Sequence, residues 1–130
     1  MVQIEKVAAK GVFDPPTYSQ ALKVTGAQAV VFVSGQVAYD ASGAVAHPGD
    51  FTAQAREAFR ALVAQVEAAG GTTASIVKLT TYLTDLRHRA DLGPIRAEIF
   101  GARLPASTLV GVTALAQPGW LIEVEAIAVL

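Results

Sequence analysis

Residues Leu121–Leu130 read Leu-Ile-Glu-Val-Glu-Ala-Ile-Ala-Val-Leu, a period-two alternation that fits a β-strand and no helix. Successive strand side chains point to opposite faces. Ile122, Val124, Ala126, Ala128 and Leu130 therefore share one wholly apolar side, which must be covered. Leu121, Glu123, Glu125, Ile127 and Val129 share the other side, which is half apolar and half acidic. The chain offers two helical patterns to do the covering. Asp50–Ala69 carries Ala55, Phe59, Leu62, Val63 and Val66 on one face, with Asp50 as N-cap and Gly70-Gly71 as terminator. Asp91–Phe100 is shorter, with Pro94 placed in its first turn. Two helices cover one face and nothing is left for the second. A half-apolar sheet face without a cover is read as an interface between copies of the chain, with a polar pocket at the seam.

The remaining β patterns are Ile4–Ala9, Ala21–Thr25, Ala29–Gly35, Ile76–Leu83 and Leu109–Thr113. The order β-β-β-α-β-α-β-β predicts one α+β domain over residues 1–130, with a mixed sheet and two helices on one face. A hydrophobic fraction of 52% excludes intrinsic disorder. With no cysteine there is no disulfide, thiolate nucleophile or cysteine-held metal. Ten basic against eleven acidic residues leave no surplus for a phosphate backbone, so no nucleic-acid partner is expected. Apolar runs such as Ala29–Val33 fall far short of the ~20 residues that span a bilayer. Met1-Val-Gln-Ile-Glu-Lys6 has no basic-then-apolar signal pattern, so a soluble, cytoplasmic protein without membrane contact is expected.

Glu123 is the leading acid–base candidate. A carboxylate among Leu121, Ile127 and Val129 is partly desolvated, and desolvation raises its proton affinity toward a useful range. Glu125 shares the face about 7 Å along the strand, a spacing compatible with a glycosidase-like pair, and the alternation does not separate the two. Ser34-Gly35 closes a strand, where glycine admits a ligand close to backbone N–H groups; a plain strand stop explains it equally well. Tyr18, after Pro15-Pro16, either brings its hydroxyl to a site or packs as a loop aromatic. No Gly-x-Ser-x-Gly elbow and no glycine-rich phosphate loop occurs.

Several short segments go further together. They are Tyr18-Ser-Gln, Phe32-Val-Ser-Gly-Gln36, Gln54-Ala-Arg-Glu57, Val66-Glu-Ala-Ala-Gly70, Ile76-Val-Lys-Leu-Thr-Thr-Tyr-Leu-Thr-Asp85, Pro105-Ala-Ser-Thr108 and Ile122-Glu-Val-Glu-Ala-Ile-Ala128. In this order and spacing the chain resembles the RidA/YjgF family of reactive-intermediate deaminases. The resemblance implies a chorismate-mutase-like fold and a homotrimer whose sheets form a central barrel, with small-metabolite clefts between subunits. It implies hydrolysis of enamines and imines such as 2-aminoacrylate to a 2-keto acid and ammonia, without metal or organic cofactor. Carried over by position, Glu123 would activate water, while Tyr18 and the Ser34–Gly35 backbone would orient the substrate. The family's carboxylate-binding arginine is absent. Its position in Pro105-Ala106-Ser107 is held by Ser107, and an asparagine common in the second-helix region is Gly93 here. A buried arginine–carboxylate pair is worth ~2–4 kcal/mol, so its loss lowers 2-imino acid handling by roughly 10²–10³-fold. Arg103 is the nearest substitute cation; Lys78 on a middle strand and Arg96 on a helix are disfavoured. A non-catalytic binding trimer and a deaminase of ring-cleavage enamines such as 2-aminomuconate are the alternatives. A ribonuclease activity, attached to some members, is opposed by the net charge of −1.

Overall fold

The alternating segment takes the inner place that its apolar side demands. In the computed structural model, which describes residues 1–130, β6 (Ile122–Val129) is flanked by a strand on each side. The four-stranded sheet runs β3 (Val30–Gln36), β6, β4 (Ile76–Leu83), β5 (Ala106–Gly111). β6 is antiparallel to both neighbours, and β5 runs parallel to β4, making β3 and β5 the two edges. Helices α1 (Phe51–Ala68) and α2 (Arg89–Phe100) cover the same face. Phe59, Leu62 and Val66 of α1 and Ile95 of α2 pack there against Leu79 and Leu83 of β4 and Ile122 and Val124 of β6. Asp50 caps α1, its side chain accepting from the Ala53 N–H at 3.1 Å.

Several boundaries differ from the sequence reading. β1 (Gln3–Val7) ends before Ala8, and it pairs only with β2 (Ala21–Thr25), so the strands form two sheets rather than one. The chain after β2 pairs instead with its own end: Gln28 and Ala29 N–H groups donate to the Leu130 carbonyl. β3 continues past Gly35 to Gln36. β5 begins at Ala106 rather than Leu109 and ends at Gly111. Its start is held by tertiary bonds, Ser19 Oγ donating to the Leu104 carbonyl at 2.6 Å and Ser19 N–H to the Pro105 carbonyl at 3.1 Å. Helix α2 begins at Arg89, which moves Pro94 into its second turn. Pro94 there forgoes the bond to the Ala90 carbonyl, and Ala90 is exposed to water that can replace it. On β6 the alternation holds through Ala128, but Val129 is buried and Leu130 only half-buried.

Candidate functional site

The second face of the four-stranded sheet is open. Across it the registers set out three rows. Phe32, Ile127 and Lys78 form the first; Glu125, Thr80 and Thr108 the second; Glu123, Tyr82 and Val110 the third. Phe32 is 77% exposed there, an aromatic with no cover inside the chain.

β3 carries an irregularity at the centre of this face. Val33 pairs with Ala126 and Gln36 with Val124, so Ser34 and Gly35 together stand opposite Glu125 alone. This two-against-one count is a β-bulge, a device that re-aims side chains and withdraws one residue from the ladder. The Glu123 side chain lies over the bulge. A Cβ built on Gly35 would stand 2.6 Å from Glu123 Cδ and Oε1 and 2.8 Å from Cγ. Gly35 is thus required for space, not for a left-handed turn. Any side chain at this position would displace the carboxyl group.

The electrostatics distinguish the two glutamates. Burial, and after it the charge of Glu125, push the Glu123 carboxyl up from its ordinary value. Tyr82 Oη donates to Glu125 Oε1 at 2.6 Å. That bond, then burial, then the charges of Glu125 and Glu123, push the Tyr82 phenol up as well. Beside them is a hollow of about 370 Å³ lined by Phe32, Ser34, Lys78, Thr80, Glu125 and Ile127. Lys78 Nζ donates to Thr108 Oγ1 at 2.7 Å and enters none of the chain's ion pairs.

The residues singled out in the sequence fall into two groups. Ser34, Gly35 and Glu123 meet at the β3 edge. Tyr18, Arg103 and Ser107 gather at the β5 edge, because Ser19 bridges to Ala106 and Arg103 lies in the loop just before β5. Within one chain these groups do not meet. Ser107 is in register with Leu79, a core residue, so it sits on the helix-covered side of β5, two strands from β6. Two strand spacings are about 10 Å. Of the cations weighed, Lys78 and not Arg103 shares the Glu123 face of this chain. Lys78 lines the hollow from the open face of the inner strand β4. Arg96 is half-buried on α2 and its Nε and Nη2 have no partner; burial pulls it down from its ordinary value.

Three contributors were not singled out from the sequence. Tyr82 was legible as the member of the Lys78, Thr80, Tyr82 alternation lying opposite a glutamate, but only the register shows which glutamate. Gln54 is fully buried on α1. Its Nε2 donates to the Gly119 carbonyl at 2.9 Å and its Oε1 accepts from the Leu121 N–H at 2.9 Å, which anchors the chain where it enters β6. Trp120 Nε1 donates to the Ala38 carbonyl at 3.1 Å and ties the same point to the chain leaving β3. A polar residue inside the apolar stripe of α1 was the available signal for Gln54.

Comparison with known proteins decides the family. A family model described as Endoribonuclease L-PSP matches residues 14–130. The chain belongs to the RidA/YjgF family. RutC family proteins of Pyrococcus horikoshii and Pyrococcus abyssi are each 37% identical over 111 residues, 85% of this chain and 85% and 84% of theirs. Among solved structures, YyfB of the Rid family from Yersinia pestis, described as of unknown function, superposes with a TM-score of 0.86 at 29% identity, covering 98% of both chains. Rv2704 of Mycobacterium tuberculosis, a member of the YjgF/YER057c/UK114 family, gives 0.68 at 29% identity over the full length of both. The α+β arrangement above is the Rid fold. No helix is long and apolar enough to cross a membrane.

Proposed function

We propose that this Rid protein hydrolyses a small enamine or imine at the Glu123–Gly35 bulge, in a site completed by a second copy of the chain. The observation that carries this reading is the half-buried Glu123 carboxyl, folded over the backbone of Gly35 on the open sheet face, with its neighbours Ser34 and Glu125 lining the hollow. A carboxyl whose proton affinity is raised is a stronger base than an ordinary glutamate. In the reaction the Glu123 carboxylate accepts a proton from water as the water oxygen bonds to the C=N carbon. The Glu123 carboxyl then passes that proton to the nitrogen. The C–N bond breaks with its electron pair staying on the nitrogen, and the carbonyl forms as the hydroxyl proton goes by way of Glu123 to the departing nitrogen, which leaves as ammonia. An enamine enters the same course after tautomerising to its imine.

The two groups of site residues lie at opposite edges of one sheet. A head-to-tail ring of copies brings the β5 edge of one chain, with Tyr18, Arg103 and Ser107, against the β3 edge of the next, with Ser34, Gly35 and Glu123. Such a heterologous contact gives a closed ring when the rotation between copies is one-third of a turn, the symmetry of the homotrimer implied by the family resemblance. It also covers Phe32 and the apolar part of the open face. Lys78 supplies a cation to the hollow for an anionic substituent of the substrate. The ribonuclease reading suggested by the family model's description has weaker support. The ionisable groups of this face are two carboxylates, a phenol and one lysine, a poor match to a phosphate chain.

A second reading, capture of a metabolite without turnover, is favoured by the serine at position 107 and the absence of an arginine beside Glu123. One experiment decides between them. 2-Iminobutyrate and 2-iminopropionate are generated in situ and their hydrolysis is followed with wild type and Glu123→Gln. Accelerated keto acid and ammonia release, lost in the variant, supports hydrolysis. Saturable binding heat with unchanged ligand would leave capture as the function.

A further inference from the structure

Along the strand Glu123 and Glu125 are equivalent, two carboxylates on one face. The tertiary structure breaks that equivalence through one side chain. Tyr82 is in register with Glu123, yet its hydroxyl reaches diagonally to Glu125 and donates to Oε1 at 2.6 Å. This is the short distance of a charge-assisted O–H···O⁻ bond. Glu123 receives no comparable donor; its environment consists of burial and the neighbouring charge.

We propose that Tyr82 is a positioning residue of this site: by holding the Glu125 carboxylate in place beside Glu123, it assigns the exchangeable proton of the pair to Glu123. When two carboxylates lie close, one of them must carry the burden of the shared field, and the environment decides which. The phenol donates to Glu125 and leaves Glu123 without a donor. Within one chain the other ionisable groups facing Glu123 are few, and the ring proposed above adds Tyr18 and Arg103 of the next copy. On β6 there is Glu125, and on β4 there are Tyr82 and Lys78. β3 and β5 contribute none, being Val-Val-Phe-Val-Ser-Gly-Gln and Ala-Ser-Thr-Leu-Val-Gly. Lys78 is in register with Ile127, so along the rows Glu125 stands between it and Glu123. Lys78 is therefore nearer along the rows to Glu125 than to Glu123.

The inference rests on the hydrolytic reading for the use of the proton, but the assignment itself is read by titration alone. Glutamate side-chain carboxyl resonances of the full-length assembled protein are followed against pH in wild type, Tyr82→Phe and Glu125→Gln, alongside the rate–pH profile of imine hydrolysis. The expected result is a wild-type Glu123 midpoint above that of the exposed glutamates. It moves down in Tyr82→Phe, where Glu125 is freed to share the proton, and down in Glu125→Gln, where the neighbouring charge is gone. The acidic limb of the rate profile moves down with it. Tyr82→Phe keeps the ring and its packing, so a purely structural role leaves the midpoint unmoved. A midpoint that shifts in Glu125→Gln but not in Tyr82→Phe overturns the role of Tyr82. A midpoint that shifts in neither overturns the pairing. If Glu123→Gln retains turnover while the midpoints behave as stated, the hydrolytic reading fails and the proton assignment stands.

Discussion

Gly35→Ala is the sharpest single test of the site. The added Cβ would meet Glu123 Cδ and Oε1 at 2.6 Å and Cγ at 2.8 Å. Ordinary carbon–carbon contact begins near ~3.5 Å, so the carboxyl group must retreat by about 1 Å. Because Cγ clashes as well, rotation of the carboxylate alone does not relieve the contact, and the whole side chain must leave its position. A displacement of that size at a reacting group lowers rate by about 10²-fold. The fold should notice little. Alanine at a residue without a left-handed backbone gains ~0.4–1 kcal/mol by restricting the unfolded chain. A strained Glu123 rotamer loses a similar ~0.5–1.5 kcal/mol. The expected outcome is kcat/KM for imine hydrolysis reduced about 100-fold, with Tm within ~4 °C of wild type. The assay is a coupled imine-hydrolysis rate paired with a thermal melt of the same preparation. Undiminished kcat/KM at an unchanged Tm would refute the argument that Glu123 acts from its place over the bulge. A large fall in Tm would show that Gly35 serves the fold instead.

Four further outcomes follow from the same geometry. Glu123→Gln abolishes the proposed turnover and leaves the assembly state equal to that of wild type by light scattering. It also removes a pH dependence: the raised Glu123 carboxyl contributes stability below its unfolded value of 4.5 that is lost as pH rises through the higher folded value, so the variant's stability curve is flatter just above pH 4.5. Lys78→Met weakens binding of a substrate with an anionic substituent by about 10–100-fold in KM, the worth of one charge-assisted hydrogen bond, and leaves a neutral imine unaffected. An equal effect on both substrates counts against an anion-holding Lys78. Gln54→Leu strands the Leu121 N–H and the Gly119 carbonyl, costing about 2–4 kcal/mol in denaturant unfolding and loosening the entry to β6.

Much of the fold was legible because burial leaves a periodic mark. Phe59, Leu62 and Val66 mark α1, and Ile122 through Ala128 mark β6, since each repeats at the interval of its own backbone. The misread edges lie where periodicity is weak. Ala106-Ser107-Thr108 carries no apolar signal, and β5 begins there because Ser19, distant in sequence, holds the preceding turn. The site was legible only in part. Glu123 stood out as a charge on a half-apolar face, and Ser34-Gly35 as a strand-closing pair. Neither the bulge that joins them nor the face that Ser107 takes appears in local sequence, because both depend on pairing between strands.

By itself the sequence determined which side of β6 is buried, that two helices cover one face of a sheet, and, through its ordered motifs, the family. These are local properties, set by side-chain polarity at each backbone period. Only the tertiary structure decided that Glu123 lies over Gly35, that Tyr82 bonds Glu125 rather than Glu123, and that Tyr18, Arg103 and Ser107 gather at the opposite edge. The first two depend on strand register, which a shift of one residue reverses, and the third on strand order; neither is written in local sequence.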